Sequence, residues 1–518
     1  MTMMTRPASG RWLALGGISL GLLAVGLDIT VLSLALPTLA GALSANESQL
    51  QWFVTAYTLA LTAAMLPAGL VGDRLGRKRT IRLALIVFGV ASAACALAPN
   101  AGAFIAARAV LGIAGAAMVV MALSIITVLF DEAERPRAIG VWGAANFLAL
   151  PLGPIVGGWM LANFWWGWVF LLNLPVVLVG IVAVTALVPE SRSADRPAID
   201  WAGVLLSSAG LSLFMYGVIE AGRLGWVDPG TIGPLLAGVL VVAAFVVWEL
   251  RRAATGHAPL VDLTLFRSRS FTGGVILAGM GIFGLTGLLF TMPQLWQGVQ
   301  GLNAQGAGFR LLPTIGGMGV GGLLADRVAA RIGQRVTVSL GLLLMAGALF
   351  AGSTIRVDTT DAAIAAWSFF MGLGAGAGLT TAASAAMGEL DAERSGVGSA
   401  LVQAVIKLGP AFGAAVLGSV MNDAYRSGVP TAGLPADVAA VVQSSLFAGL
   451  AVADKLGSPE LAQAVKVAFV GALGDALRIA AVIALAGVPV ALALLPGRTA
   501  STTATGAQSA HDRAIASN

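Results

Sequence analysis

Fourteen stretches of about twenty mostly apolar residues follow one another along this chain, and they limit the fold more than any other feature. About 20 helical residues cross the hydrocarbon core of a bilayer. In hydrocarbon every backbone N–H and C=O must be bonded internally, so helix is the local answer. The runs lie at 13–37, 50–71, 80–98, 103–129, 138–162, 167–188, 201–221, 231–249, 271–297, 305–325, 336–354, 362–386, 397–422 and 477–496. Composition agrees: 58% of residues are hydrophobic and 11% are charged, against about 25% charged in soluble domains. The 67 glycines suit helices that approach closely in a membrane. The sequence therefore predicts an all-α polytopic membrane protein. The first run is longer than the about 7–15 residues of a signal-peptide core, and it reads as a permanent helix.

Orientation follows from Lys and Arg in short loops. Arg74, Arg77, Lys78, Arg79 and Arg82 follow the second run. Arg251, Arg252, Arg267 and Arg269 follow the eighth, and Arg327, Arg331 and Arg335 follow the tenth. The opposite loops near 99–102, 163–166 and 298–304 carry no Lys or Arg. This pattern puts the basic loops and both termini in the cytoplasm. Residues 426–476 are then external, and 462–477 has the spacing of an amphipathic helix on the outer surface. The plainer alternative there is a linker. Residues 498–518, rich in Ser, Thr and Ala, read as a disordered cytoplasmic tail.

The chain echoes itself. In "GLVGDRLGRKR" (69–79), Gly69, Asp73 and Arg74 match Gly322, Asp326 and Arg327 of "GLLADRVAARIGQR" (322–335), eight runs later. Six helices plus two inserted ones make eight, and parallel six-helix halves are one way to build a transporter. The expected division is a six-helix bundle over 1–190, two inserted helices over 191–262, and a second bundle over 263–497.

Several chemistries are excluded. None of the four lysines follows a glycine, so the phosphate-cradling Gly-Lys-Ser/Thr is absent from this chain. "GISLG" (17–21) fits a serine-hydrolase pattern but lies inside an apolar run, not at a strand–helix elbow. His257 and His511 lie far apart, and Cys95 is single, so no metal cluster and no intramolecular disulfide is expected. The basic residues sit in short clusters between apolar runs, which does not suit nucleic acid. Neither catalysis nor a cofactor is expected, and transport would draw on an ion gradient.

Asp28 is the one charge between Trp12 and Leu43. Placing an acid in a membrane helix costs about 2.5–3.5 kcal/mol on insertion scales. Intramembrane acids mark ion paths and proton relays. The alternative reading is a packing hydrogen bond to a neighbour such as Thr30. Arg108 is the second strong intramembrane charge, either a participant in proton transfer or a counter-ion. Gly153, Pro154, Gly157 and Gly158 place small residues one turn apart, a face for close packing with a proline kink. Candidates to line a substrate cavity are Trp52, Tyr57, Trp142, Phe147, Phe290 and Trp296, which offer π faces to cations, and the polar or charged Gln294, Arg310 and Lys407. Each of these aromatics is also compatible with an ordinary core or lipid-facing position.

Taken together, the motifs resemble the major facilitator superfamily, and within it the fourteen-helix drug:proton antiporters. "LDITVLSLALP" (27–37) resembles the first-helix signature, and "GLVGDRLGRKR" (69–79) the loop signature between helices two and three. "RAVLGIAGAA" (108–117) resembles the fourth-helix motif, with Leu111 in place of the usual glutamine. "LGPIVGGWM" (152–160) resembles the fifth-helix antiporter motif. "WGWVFLLNLP" (166–175) matches with Gly167 in place of arginine, and "ERSGVGSALVQAVIKLG" (393–409) resembles the entry to helix thirteen.

The resemblance implies two six-helix bundles with two inserted helices, and alternating access driven by the proton gradient. It implies proton coupling through Asp28 and Arg108, and a conformational lock made of Gly69, Asp73, Arg74, Gly76, Arg77 and Arg79. It associates the fifth-helix motif with export. The expected partners are protons, the lipid bilayer and lipophilic, neutral or cationic small molecules. The expected location is a bacterial inner membrane, and the expected role is multidrug efflux and antibiotic resistance. One departure bears on substrate. Several relatives carry acids in helix thirteen, where this chain has Val402 and Lys407. With Arg310 near the outer end of the tenth run, these weaken the case for dicationic substrates. The rivals are a proton-coupled carrier of one metabolite or lipid and, less compatible with the motifs, a membrane-embedded enzyme.

Overall fold

A computed structural model describes residues 8–45, 47–131, 134–192, 200–255, 261, 263–390 and 395–497. Among these residues there are helices and no strands. They are α1 (Ala8–Ala42), α2 (Glu47–Leu75), α3 (Arg77–Ala96), α4 (Ala101–Leu129) and α5 (Arg135–Leu152), which runs through a π-helical turn (Gly153–Gly157) into α6 (Gly158–Asn163). Next come α7 (Trp168–Leu171), α8 (Asn173–Leu187), α9 (Trp201–Leu224) and α10 (Pro229–Ala254). Then α11 (Arg269–Gln294) passes into a second π-helical turn (Leu295–Val299). It is followed by α12 (Ala304–Arg310), α13 (Leu312–Ile332), α14 (Gln334–Gly352), α15 (Asp361–Gly388) and α16 (Ser395–Gly428). The last three are α17 (Ala436–Ser444), α18 (Leu446–Lys455) and α19 (Pro459–Leu494). Twelve helices among the described residues are long and apolar enough to cross a membrane. The fifth and tenth predicted runs fall on α5–α6 and on α12–α13.

Side-chain caps fix the helix starts where the sequence offers them. Asn100 accepts from the Ala103 N–H at 2.9 Å, Asp200 from Gly203 at 3.0 Å and Asp228 from Gly230 at 2.8 Å. Each satisfies a donor that the first helical turn cannot.

The helices up to α8 pack chiefly on one another, with α2 and α3 against α4, and α5 and α8 against α1. The helices from α11 onward do likewise, with α13 and α14 against α15, and α11 and α19 against α16. The two groups meet where α2 and α4 touch α16, and where α5 touches α13 and α15. Glycine permits the tightest of the contacts within the second group. A Cβ at Gly372 would lie 1.9 Å from the Thr314 carbonyl, and one at Gly317 2.0 Å from that of Phe369.

Between the groups lies the α9–α10 hairpin. Ser208 of α9 donates to the Ala63 carbonyl of α2 at 2.8 Å, while Phe214 and Trp226 pack on Phe412 of α16. The buried Asp200 also accepts from Trp248 Nε1 at 2.9 Å and pairs with Arg252 at 3.2 Å, which fastens α10 to α9.

The stretch 426–476 departs from expectation. The surface helix expected at 462–477 is instead the first half of α19, continuous with the last membrane run. Ser458 caps it through the Leu461 N–H at 3.2 Å, and Pro459 occupies its first turn. Val465, Phe469 and Leu473, spaced every four residues, are buried in a core shared with α16 and the second π-helical turn. That protein face, not a membrane surface, accounts for their spacing. Tyr425 ties the two short helices down by donating to the carbonyls of Val442 at 3.0 Å and Ser445 at 3.1 Å.

Candidate functional site

Asp28 and Arg108, 80 residues apart in sequence, form one buried ion pair between α1 and α4. Their side chains are 0% and 1% exposed. Arg108 Nη1 donates to Asp28 Oδ2. Its Nε donates to the Phe53 carbonyl of α2 at 2.8 Å, and its guanidinium carbon lies 4.5 Å from the centre of the Tyr57 ring. Phe53 is held in turn by a tilted contact with Phe104, one turn before Arg108, with ring centres 4.5 Å apart. The other carboxylate oxygen, Asp28 Oδ1, is buried with no hydrogen-bond partner among the described residues. A bare buried acceptor is unfavourable.

The Thr30 alternative for Asp28 is set aside by this geometry. The single hydroxyl proton of Thr30 is instead shared among the carbonyls of Gly26 and Leu27 in its own helix and the Ala149 carbonyl of α5 at 3.2 Å. Just beyond lies the fifth-helix motif. A Cβ at Gly153 would sit 1.9 Å from Thr30 Oγ1, and one at Gly157 2.6 Å from Val31 Cγ1. A Cβ at Gly158 would meet nothing within 4 Å. The expected proline kink takes the form of the π-helical turn around Pro154. Proline lacks the N–H that a regular turn needs, and a π-bulge is one way a helix accommodates the loss.

The loop motif folds as a compact charge cluster. Gly69 is buried in α2. Gly76 breaks the chain between α2 and α3 with φ of 111°, a backbone that L-residues rarely adopt. Across it, Arg77 donates to Asp73 Oδ1 through Nη2 at 2.8 Å and Nε at 3.2 Å, with both side chains buried. Arg74 is half-buried. Glu190, just past α8, accepts from the Lys78 N–H at 3.2 Å and pairs with the exposed Arg79 at 3.5 Å. The echo copy is placed differently. Gly322 of α13 approaches Gly140 of α5, whose Cβ would lie 3.2 Å from its carbonyl, and Asp326 feels the charge of Arg137 on α5. That copy therefore faces the first helix group.

The candidate cavity residues do not converge. Tyr57 is buried against Arg108, and Trp296 is buried in the core around the second π-helical turn, so neither presents a free ring. Arg310 is paired with Asp361 at the start of α15, with Gln300 donating to the same carboxylate at 3.3 Å, so its charge is already neutralised. Trp52 is exposed near the start of α2, Trp142 is half-buried in α5, and Gln294 is half-buried at the end of α11. The side chains of Phe147, Phe290, Pro154 and Lys407 lie outside the described ones, while Val402 is buried.

Sequence reading missed four partners: the Phe53 carbonyl, Glu190, Arg137 and Asp361. A backbone acceptor leaves no mark in a sequence. Glu190 could have been found as the lone acid ending the sixth run on the side of the basic loop.

Two groups of membrane-crossing helices meeting face to face, with an acid–arginine pair buried between helices of one group, make the build of a carrier that moves a solute without converting it. The chain belongs to the Major Facilitator Superfamily, whose family model matches residues 18–414. It is 31% identical over 503 residues to the tetracenomycin C resistance and export protein of Streptomyces glaucescens, covering 94% of this chain and 93% of that one. It is 32% identical over 491 residues to the multidrug efflux pump LfrA of Mycolicibacterium smegmatis, covering 94% and 96%. It is 32% identical over 454 residues to the methyl viologen resistance protein SmvA of Salmonella typhimurium, covering 86% and 90%. Among solved structures, the proton:xylose symporter XylE superposes with a TM-score of 0.63 at 15% identity, covering 95% of this chain and 97% of that one, a likeness of fold alone. The chain is thus a multi-pass membrane transporter, not an enzyme.

Proposed function

We propose that this protein is a proton-coupled exporter of lipophilic, neutral or cationic compounds, exchanging protons inward for compound outward by alternating access. The observation that carries the reading is the buried Asp28–Arg108 pair with its unpartnered carboxylate oxygen. A proton arriving at Oδ1 cancels the charge that holds Arg108. A cationic compound reaching the same acid competes with that proton, so loading one unloads the other. Displacement of α1 would then pass to α5 through the contacts of Thr30 and Val31 with Gly153 and Gly157. The names of three relatives, an export protein, an efflux pump and a methyl viologen resistance protein, support export as the direction.

The proposal includes fourteen membrane spans, the six–two–six division at residues 190 and 262, both termini in the cytoplasm and a bacterial inner-membrane location. The Asp73–Arg77 pair serves as the inner-face lock, strengthened by the clamp of Glu190 on the same loop. The driving force is the proton gradient, with no cofactor.

The test is efflux from proteoliposomes under an imposed pH gradient, with ethidium and methyl viologen as probes. Uphill, gradient-dependent efflux is expected, and Asp28→Asn should fold yet lose it. Asparagine packs similarly but cannot carry the proton. Wild-type uphill transport by that variant would remove Asp28 from the coupling role. The tetracenomycin relative favours a second reading, export of one natural product; a dye panel in which no compound is moved would select it.

A further inference from the structure

Arg108 has more holding it than its acid. Asp28 stands on α1, whereas the Phe53 carbonyl and the Tyr57 ring both stand on α2. The packing of these helices is unequal. α2 lies along α4 over much of its length, while α1 packs chiefly on α5, its π-helical turn and α8. At the site itself the α2–α4 contact is as close as backbones allow. A Cβ at Gly112 of α4 would lie 2.4 Å from the carbonyl of Tyr57, and one at Gly115 3.1 Å from its hydroxyl. The Tyr57 ring is therefore wedged between Gly115 and the Arg108 guanidinium. Its hydroxyl makes no hydrogen bond among the described residues, so the aromatic face is the part engaged.

We propose that Tyr57, seconded by the Phe53 carbonyl, is the positioning residue that keeps Arg108 on α2 when Asp28 takes up its proton, and that it thereby sets the pH at which coupling occurs. The proposal rests on the reading of Asp28 as proton carrier given above. The physical argument is one of competition for a buried cation. While Asp28 is ionised, the guanidinium divides itself between carboxylate, carbonyl and ring. Once Asp28 is neutral, a buried guanidinium with no alternative would be strongly disfavoured. The ring face carries negative electrostatic potential and binds cations well where water is excluded. It supplies the alternative in advance, so the protonated state costs less and is reached at a higher pH. Arg108 then stays on α2 and α4 while α1 is freed to move. Without the face, only the Phe53 carbonyl competes with ionised Asp28 for Arg108, and more acid is needed to part the pair.

The ionisable groups facing the pair are Tyr57 from α2 and Cys95 from α3, both within electrostatic reach of Asp28 and Arg108. Helices α5 and α16, also packed on α4, carry Arg135, Arg137, Asp423 and Arg426 towards their ends, and Lys407 at mid-helix.

Replacing residue 57 with progressively fluorinated phenylalanines by stop-codon suppression tests this, because fluorine drains the ring face with little change in shape. The readouts are the pH midpoint of ethidium efflux in proteoliposomes and the midpoint of the protonated-carboxyl infrared band that Asp28→Asn abolishes. Tyr57→Phe should keep the wild-type midpoint. Increasing fluorination should lower it stepwise, by about one pH unit in all, a tenfold change in proton concentration. Tyr57→Leu, if it folds, should fall at least as far. A midpoint that stays or rises across the fluorinated series, with the Asp28 band still titrating, overturns the role of Tyr57 and leaves proton coupling standing. Loss of neither the band nor the coupling in Asp28→Asn would instead overturn the reading on which this one rests.

Discussion

Gly153→Ala should disable the seam between α1 and α5, and the structure says by how much. The added methyl would lie 1.9 Å from Thr30 Oγ1, 2.6 Å from Thr30 Cβ and 3.4 Å from the Val31 nitrogen. The first two are far inside van der Waals contact, so the helices must separate or Thr30 must turn away. Forced overpacking costs about 1–3 kcal/mol. Parting Thr30 from the Ala149 carbonyl adds little, because its hydroxyl keeps the carbonyls of Gly26 and Leu27 within reach. A penalty of about 1–3 kcal/mol on every state in which the seam is closed corresponds to roughly 5- to 150-fold in population.

The same motif supplies the control. Gly158→Ala adds a methyl where nothing stands within 4 Å, and in a helix alanine is preferred to glycine by about 1 kcal/mol. It should be neutral or mildly stabilising. Thermal unfolding in detergent and initial rates of ethidium efflux would be measured for Gly153→Ala, Gly158→Ala and the pair Gly153→Ala with Thr30→Gly. The pair removes both clashing atoms and should recover part of the loss, less about 1 kcal/mol for glycine inside α1. Equal effects at positions 153 and 158, or no recovery in the pair, would refute the steric account and leave the motif a matter of glycine flexibility.

Asp73→Asn should lower the transport rate more than the affinity for substrate, because it changes the balance of states and not the pocket; weakened binding at an unchanged rate would contradict this. Single cysteines placed in a Cys95→Ala background should react with an impermeant reagent in intact cells within 430–457 but not within 74–82, and labelling of 74–82 would invert the proposed orientation. Monocationic and neutral aromatics should be exported better than matched dications, with Lys407→Glu shifting the preference toward dications, since two charges in a low-dielectric cavity need two acids. Strong dication export by the unmodified protein would mean that another group supplies the compensation.

The helices were legible because their cause is one-dimensional. Apolar length and the basic residues of the short loops each act on the chain where they stand. The motifs were legible for a related reason: Asp28, Arg108 and Gly153 are types whose presence in hydrocarbon, or spacing on one face, is costly or pointless without a partner. What could not be read was the partner. Nothing near Arg310 in sequence announces Asp361, and nothing near Arg108 announces a carbonyl on α2. Tyr57 was assigned to a substrate cavity for the property it does use, a π face, but the cation it meets is Arg108. The outer helix at 462–477 was misplaced for the opposite reason. Its amphipathic spacing was real, and periodicity alone does not say whether a helix face turns to a membrane surface or to a neighbouring helix.

The geometry of α1 joins these sites into one device. At 100° per residue, Asp28 and Thr30 point to opposite sides of the helix. Asp28 meets Arg108 of α4, while Thr30 and Val31 meet the Gly153–Gly157 turn. One rod thus carries a charge contact at Asp28 and, on its far side at Thr30, a close-packed contact that Val31, only about 60° round from Asp28, carries back along the helix. A hydrogen-bonded ion pair is either made or broken, and a close-packed seam is either seated or not, because cores at this density do not deform gradually. On the proposed role of Asp28, protonating one carboxylate oxygen would act on a contact with two settings, and the rigid helix would impose the change on a second such contact. A flexible or loosely packed α1 would absorb the displacement. The glycines of the fifth helix, which leave no slack against Thr30 and Val31, are what would allow a proton at Asp28, in the proposed coupling, to be felt at α5.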